Sequence, residues 1–274
     1  MDQYAVFGRP IKQSKSPFIH RLFAEQTHQQ LTYGAIEPSE SETFSQAAAN
    51  FFEQGGKGCN VTMPFKHDAH EFATQLSERA KIAGAVNTLK LLDDGGILGD
   101  NTDGAGLVAD LKLNHVELND ARILIIGAGG AARGTLLPLL QEQPSQLDIV
   151  NRTASKAQDL ADLFPDHSNI AALGFGQLAE SYDVVINSTS ASMTEQLPPV
   201  PGSIISQQTA VYDMVYRQQP TVFMAWAKQQ GARKAIDGLG MLVAQAAESF
   251  AVWRGIRPGM RQVLRELNKN LGRI

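Results

Sequence analysis

The chain has 274 residues, of which 43% are hydrophobic and 19% charged, and a formal net charge of -4 at pH 7. That composition excludes a disordered chain and argues against nucleic acid or an anionic membrane as the main partner. A single cysteine, Cys59, excludes an internal disulfide and a cysteine-based structural zinc site, and a reducing cytoplasm is the expected compartment. Met1-Asp2-Gln3 opens the chain without a basic region leading into an apolar core, so no secretory signal is expected. The most apolar window, Ile123 to Leu140, contains Arg133 and several glycines, and it reads as strand-turn-helix rather than as a membrane span.

Strands and helices alternate through the first hundred residues. Tyr4 to Gly8 is a buried-strand pattern, and Ser16-Pro17 reads as a helix N-cap followed by proline at the first helical position. Leu31 to Ile36 and Gly58 to Thr62 are further strands, and Pro64 can open another helix. Ala85 to Leu92, the turn Asp93-Asp94-Gly95-Gly96, and Ile97 to Gly99 read as a hairpin. A helix pattern covers Gly106 to Leu113. Arg122 to Ile126 then runs into a glycine-rich turn and a helix reaching Leu140. Leu147 to Val150, Val184 to Ile186 and Ala210 to Tyr212 are strand patterns, and about Ser155 to Leu163 and Thr221 to Gln230 are helical. This alternation implies a parallel sheet with helices on both faces. Leu239 to Trp253 and Gly259 to Leu271 are helical and resemble no further βα unit, so they are expected to return to the first domain. The expected division is 1–102 with 239–274 as a discontinuous domain and 103–238 as the other.

The second domain carries a dinucleotide signature in context. Ile123 to Ile126 leads directly into Gly127-Ala128-Gly129-Gly130-Ala131-Ala132 and a helix. Gly127 and Gly129 let the backbone turn tightly and approach a diphosphate, and Ala132 fills the helix-packing position. The helix N-terminus offers free N–H groups to the anion. The end of the next strand selects the nucleotide. An acidic residue there would bind a free ribose 2′-hydroxyl, but this chain has Asn151-Arg152-Thr153 with Lys156 beyond. Arginine attracts a 2′-phosphate that a carboxylate would repel, which favours NADP over NAD.

In the first domain, uncharged polar clusters recur at strand ends: Ser14 and Ser16, Asn60 and Thr62, Asn87 and Thr88, Asn101 and Thr102. Such groups suit a ligand rich in hydroxyls. Taken singly, Ser14, Ser16 and Thr88 are better explained by capping and turn chemistry. Lys66 and Asp103 are the nearby pair able to move a proton.

These stretches together resemble the shikimate dehydrogenase family over essentially the full chain. The resemblance rests on Ser14-Lys15-Ser16-Pro17, Asn60-Val61-Thr62-Met63-Pro64-Phe65-Lys66, Gly84-Ala85-Val86-Asn87-Thr88 and Asn101-Thr102-Asp103-Gly104. It continues through the Gly127 turn, Asn151-Arg152-Thr153, Asn187-Ser188-Thr189-Ser190, and Asp237 to Leu242 with Gln245. It implies a Rossmann-type doubly wound NADP domain plus an α/β substrate-binding domain with a mainly parallel sheet. The implied reaction is reversible reduction of 3-dehydroshikimate to shikimate in aromatic amino-acid biosynthesis. By the resemblance, Ser14, Ser16 and Tyr216 hold the substrate carboxylate, and Thr62, Asn87, Asp103 and Gln245 bind ring hydroxyls. Lys66 acts as acid or base with Asp103. Gly127, Gly129, Gly130, Ala131, Asn151, Arg152, Thr153, Lys156 and Thr189 bind the cofactor, and Met214 and Gly238 border the nicotinamide. No metal is implied, and the small-molecule substrate is the expected partner. Nothing in the sequence decides between a monomer and a homodimer.

Several residues depart from the family pattern. Arg9 stands where asparagine is frequent, Ser192 where glycine is, Lys156 where arginine is, and Val222 where proline is. Lysine at 156 keeps charge but loses the bidentate fork. Cys59 reads as a small buried filler and His67 with His70 as a solvated helix face. Met241, Phe250 and Trp253 fit core spacing. The rival readings are a quinate/shikimate dehydrogenase, a folate-linked methylenetetrahydrofolate dehydrogenase, and a catalytically inactive NADP-sensing module. Ser14-Lys15-Ser16-Pro17 argues against the folate enzyme.

Overall fold

Short apolar runs punctuated by glycine and proline become the strands of two six-stranded sheets. The computed structural model describes residues 1–273. The first part contains β1 (Asp2–Phe7), α1 (Ser16–Thr27), β2 (Leu31–Ile36), α2 (Phe44–Glu53), β3 (Gly56–Val61), α3 (Lys66–Phe72), β4 (Gln75–Leu76), α4 (Glu78–Ala83), β5 (Thr88–Leu91) and β6 (Ile97–Asp100). Its sheet has the order β2-β1-β3-β5-β6-β4. The pairings of β1 with β2, β1 with β3 and β4 with β6 are parallel, and β5 pairs antiparallel with β3 and β6. Ala5, Phe7, Cys59, Val61, Val86 and Leu89 form its core with Phe44 and Ala48 of α2.

The second part contains α5 (Asp103–Leu113), β7 (Arg122–Ile126), α6 (Gly130–Leu140), β8 (Gln146–Val150), α7 (Ala154–Ala161), β9 (Ile170–Leu173), β10 (Val184–Asn187), β11 (Ala210–Asp213), α8 (Val222–Gln229) and β12 (Lys234–Asp237). The helices α9 (Leu239–Arg254) and α10 (Met260–Asn270) complete the chain's elements. This sheet runs β12-β11-β10-β7-β8-β9, and every pairing is parallel. Ile123 to Ile126 are all fully buried, which a parallel strand covered on both faces requires. The chain winds outward from β7 through β8 and β9, then restarts at β10 on β7's other side. Ligands of doubly wound sheets bind at that reversal, beyond the carboxyl ends of the strands.

The chain divides into two compact units, Met1–Gly106 with Leu242–Leu267, and Leu107–Met241 with the residues from Asn268 onward. These divisions fall a few residues inside α5 and α9, whereas the sequence-based boundaries fall at the starts of those helices. Residues 268–273 group with the second unit, where the Arg273 guanidinium bonds Asp237 Oδ2 at 2.5 Å. The sequence reading assigned them to the first.

Other local differences have physical reasons. Ser16 is the first residue of α1 rather than its cap; Lys15 occupies the cap position and no side chain caps the helix. The edge strands β9 and β12 are only half-buried and four residues long, and β12 begins and ends on the charged Lys234 and Asp237, so they carry little sequence signal. The helix α2 is started by a capping box between Thr43 and Gln46. Phe250 and Trp253 are buried as expected, and Met241 is half-buried. Cys59 is fully buried, and burial pushes its thiol up. Among the described residues no helix is long and apolar enough to cross a membrane.

Candidate active site

The first unit gathers four of the implied residues into one hydrogen-bonded cluster. Lys66 opens α3, and its Nζ donates to Asp103 Oδ2 at 2.6 Å. Asn87 lies just before β5, and its Nδ2 donates to the other Asp103 oxygen at 2.9 Å. The same amide lies 3.4 Å from Gln245 Oε1, which α9 supplies. The Lys66 side chain is 35% exposed and that of Asp103 17%, so the pair is open to a small molecule while its carboxylate stays largely enclosed. An ammonium held this way is a proton donor whose direction is fixed by its partner.

Two networks hold the segment that carries Asp103. Asn101 Oδ1 accepts from the Asp103 N–H at 3.2 Å, and Asn101 Nδ2 donates to Ala85 O at 3.0 Å. Just upstream, Asp100 takes a two-pronged contact from Arg79 at 2.7 and 2.6 Å and a bond from Ser77. Burial raises the Asp100 pKa, but the bonds and charge of Arg79 outweigh it and hold the carboxyl below its ordinary range. Arg79 also reaches Glu248 at 3.0 Å. Arg79, Asp100 and Glu248 were not singled out in the sequence, because each alone reads as a solvated helix or strand-end charge.

The remaining substrate-side residues stand apart from that cluster in bonding. Ser14 Oγ accepts from the Ser16 N–H at 3.3 Å, a turn-type bond of the kind that competes with a ligand role. Thr62 follows β3 and is half-buried. Asn60 is committed internally. Its Oδ1 accepts from the Tyr33 hydroxyl at 2.7 Å and faces His20 Nε2 at 3.1 Å, and its Nδ2 donates to Ser249 at 2.9 Å. His20 is fully buried, and burial pushes its imidazole down to about 3. A cavity of about 920 Å³ lined by Pro17, Phe18, Arg21, Leu31 and Tyr33 contains none of the implied substrate- or cofactor-binding residues.

In the second unit the implied cofactor residues cluster at the carboxyl ends of the strands. Ile126 is in register with Val150 and Asn187, and Asn187 with Asp213. Gly127 follows at φ +108°, and a Cβ there would meet Ser188 Oγ at 2.7 Å and Thr189 Cγ2 at 2.9 Å. Thus the turn after β7 and the loop after β10 touch, at the point where the winding reverses. Gly129 caps α6 with no side-chain bond. Gly129, Gly130 and Ala131 are exposed, while Ala132 is fully buried against the sheet. Asn151 Nδ2 donates to Thr153 O at 2.9 Å, which shapes the turn into α7. Arg152 and Lys156 are exposed cations with no ion pair among the described residues.

Met214 follows β11, and Gly238 follows β12. A Cβ on Gly238 would lie 2.1 Å from Met214 O, so only glycine permits this approach. Tyr216 is half-buried; burial raises its phenol and the Arg273 charge opposes the rise. Among the described residues no group of three or more His, Cys, Asp or Glu side chains could hold a metal ion. His70 instead faces Glu71 at 3.4 Å.

Comparison with known proteins decides the family. Residues 6–89 match the shikimate dehydrogenase substrate binding domain, 108–196 the shikimate / quinate 5-dehydrogenase family, and 238–266 the shikimate 5'-dehydrogenase C-terminal domain. The chain is 61% identical over 272 residues to a shikimate dehydrogenase (NADP(+)) of Photobacterium profundum, covering 99% of each chain. It is 59% identical over 271 residues to the protein of that name in Vibrio atlanticus, covering 99% of this chain and 98% of the other. The chain belongs to the shikimate dehydrogenase family. Its fold is likewise shared with the shikimate 5-dehydrogenase of Thermus thermophilus solved with NADP(H) and shikimate. That match has a TM-score of 0.84 and 29% identity, covering 97% of this chain and 99% of the other. An Ael1 enzyme from Pseudomonas putida matches with a TM-score of 0.93 and 48% identity, covering 97% of this chain and 98% of the other.

One departure from the shikimate dehydrogenase pattern acquires a reason. Ser192 is 1% exposed and donates to Asp213 Oδ2 at 2.6 Å. Thr221 donates to the same oxygen at 2.6 Å. Burial raises the Asp213 carboxyl, and these two hydroxyls oppose the rise. Where a glycine would leave this carboxylate short of a donor, serine ties the loop after β10 to β11.

Proposed function

We propose that the protein is an NADP-dependent shikimate dehydrogenase that reversibly reduces 3-dehydroshikimate to shikimate in aromatic amino-acid biosynthesis. The observation that carries the reading is the Lys66–Asp103 pair, 2.6 Å apart and braced by Asn87, in a chain about 60% identical to proteins of that name. In carbonyl reduction Lys66 gives a proton from Nζ to the ketone oxygen as that oxygen gains negative charge. Asp103 holds the ammonium in the direction of transfer and balances its charge. In alcohol oxidation the neutral Lys66 amine takes the hydroxyl proton. Asn87 and Gln245 bind neighbouring ring hydroxyls, and Ser14, Ser16 and Tyr216 take the substrate carboxylate. Thr62 adds a further hydroxyl contact.

The residues present fit NADP. A Cβ at position 129 or 130 would meet nothing within 4 Å, so the exposed backbone there is free to take a diphosphate. Arg152 and Lys156 offer unpaired positive charge for the 2′-phosphate, with Asn151 and Thr153 shaping that turn. Gly127 and Thr189 border the diphosphate turn, and Met214 and Gly238 border the nicotinamide. When bound, NADPH supplies the hydride that reaches the carbonyl carbon. The reading also makes this a cytoplasmic enzyme, supported by its one buried cysteine.

The test is a spectrophotometric assay of the purified protein with shikimate and quinate, each with NADP⁺ and NAD⁺. Shikimate with NADP⁺ is expected to give the highest kcat/KM by a wide margin. Comparable quinate oxidation with NAD⁺ would instead make it a quinate/shikimate dehydrogenase, a substrate pair that one matching family description names.

A further inference from the structure

The Asn87 carboxamide is useful to Asp103 only in one of its two orientations. With Nδ2 toward Asp103 it donates to the carboxylate; turned over, its Oδ1 would face a carboxylate oxygen at about 2.9 Å and repel it. The surroundings of Oδ1 settle the orientation. It accepts from the Thr102 N–H at 2.9 Å and from the Thr88 hydroxyl at 2.8 Å. The Thr102 hydroxyl lies 3.1 Å away.

Thr88 is itself held in place. It is fully buried, 2.7 Å from Ser249 Oγ, and it accepts from Asn60 Nδ2 at 3.2 Å. Ser249, also fully buried, lies 3.1 Å from Thr102 Oγ1 and 3.0 Å from Gln245 O; since the Thr88 proton goes to Asn87, the Ser249 hydroxyl is the donor in its 2.7 Å contact with Thr88. Asn60 is anchored by Tyr33 and His20. The result is a closed knot of three hydroxyls and two carboxamides behind the Lys66–Asp103 pair. None of Thr88, Ser249 and Asn60 touches the pair, yet the chain Ser249–Thr88–Asn87–Asp103–Lys66 is continuous in hydrogen bonds.

We propose that Thr88, anchored by Ser249, is a positioning residue that fixes the Asn87 carboxamide and through it the direction of the Asp103–Lys66 pair. The inference rests on the proposal that this pair transfers the proton. Apolar side chains of the same shape would fill the same space, so the hydroxyls at positions 88 and 249 serve orientation rather than volume.

The test compares Thr88→Val, which keeps shape and strand preference but removes the hydroxyl, with Thr88→Ser, which keeps the hydroxyl. Ser249→Ala is measured beside them. Kinetics with shikimate and NADP⁺ are taken across pH, with a thermal melt for each protein. Thr88→Val and Ser249→Ala are expected to lose about 10-fold to 100-fold in kcat, with KM for NADP⁺ unchanged and the kcat–pH profile displaced. Thr88→Ser should recover most of the rate and the original profile. Wild-type kcat and profile in either folded variant would overturn the proposal, as would equal losses in Thr88→Val and Thr88→Ser. A loss of rate that merely follows loss of folded protein in both Thr88→Val and Ser249→Ala would also overturn it. If the wild type itself fails to oxidise shikimate, the underlying reading falls; if only these variants behave normally, the positioning role alone falls.

Discussion

Replacing Asp110 with asparagine should change how the second unit's stability depends on pH. Asp110 lies on α5, is 2% exposed, and accepts from the Tyr212 hydroxyl at 2.7 Å and from Asn114 Nδ2 at 3.0 Å. Burial, with the like charge of Asp237 added, outweighs those two bonds and pushes its carboxyl from 3.8 up to about 6. At about 1.4 kcal/mol per pH unit, that difference is worth roughly 3 kcal/mol. The sign follows from proton binding. Between about pH 4 and pH 6 the folded protein keeps a proton that the unfolded chain releases. The stability supplied by protonated Asp110 is therefore fully present below pH 4 and is lost as pH rises through 6. Asparagine cannot titrate, so the wild-type-minus-variant difference in unfolding free energy should fall by roughly 3 kcal/mol from pH 4 to pH 7. Native-state hydrogen exchange at Val211 and Tyr212, corrected for intrinsic rates, reports the second unit alone. Any constant offset from the substitution cancels in this comparison. Parallel curves for the two proteins, within about 1 kcal/mol across the range, would refute the reasoning.

Arg152→Ala should raise KM for NADP⁺ by about 10-fold to 100-fold, the worth of a charge-assisted hydrogen bond, and change KM for NAD⁺ little. Steady-state kinetics with both nucleotides checks this, and equal effects on the two would remove the 2′-phosphate role. Ser192→Gly removes one donor from the buried Asp213 carboxylate and loosens the loop backbone. Urea unfolding should show a loss of about 1–3 kcal/mol.

Much of this site could be read from the chain because its residues sit in short motifs at strand ends. Lys66, Asn87 and Asp103 sit in such motifs and Gln245 follows from the family resemblance, and the four meet in one hydrogen-bonded cluster although Gln245 is 158 positions from Asn87. The glycine turn was legible for a different reason: the apolar run Ile123 to Ile126 before Gly127 and the helix after it leave little choice of local structure. What escaped was polar chemistry inside apolar elements. Ser249 lies on a helix whose pattern advertises only core spacing, and its partner Thr88 is 161 positions away. Asp110 reads as an ordinary solvated helix charge until Tyr212 is placed against it. Arg79 and Asp100 likewise need the fold to become a pair. Strands β9 and β12 were missed because each is a four-residue, half-buried edge strand, too short to show a pattern of its own.

The most direct measurement for the whole account is the steady-state kinetics of Lys66→Ala and Asp103→Asn in shikimate oxidation with NADP⁺. Both side chains belong to the partly open pair at 2.6 Å. Losing the proton-transfer group should lower kcat by about 100-fold or more in Lys66→Ala, with KM for shikimate changed far less. Asp103→Asn should also lose rate, since its amide cannot balance the ammonium. A folded Lys66→Ala protein that turns over shikimate at near the wild-type kcat would contradict the assignment.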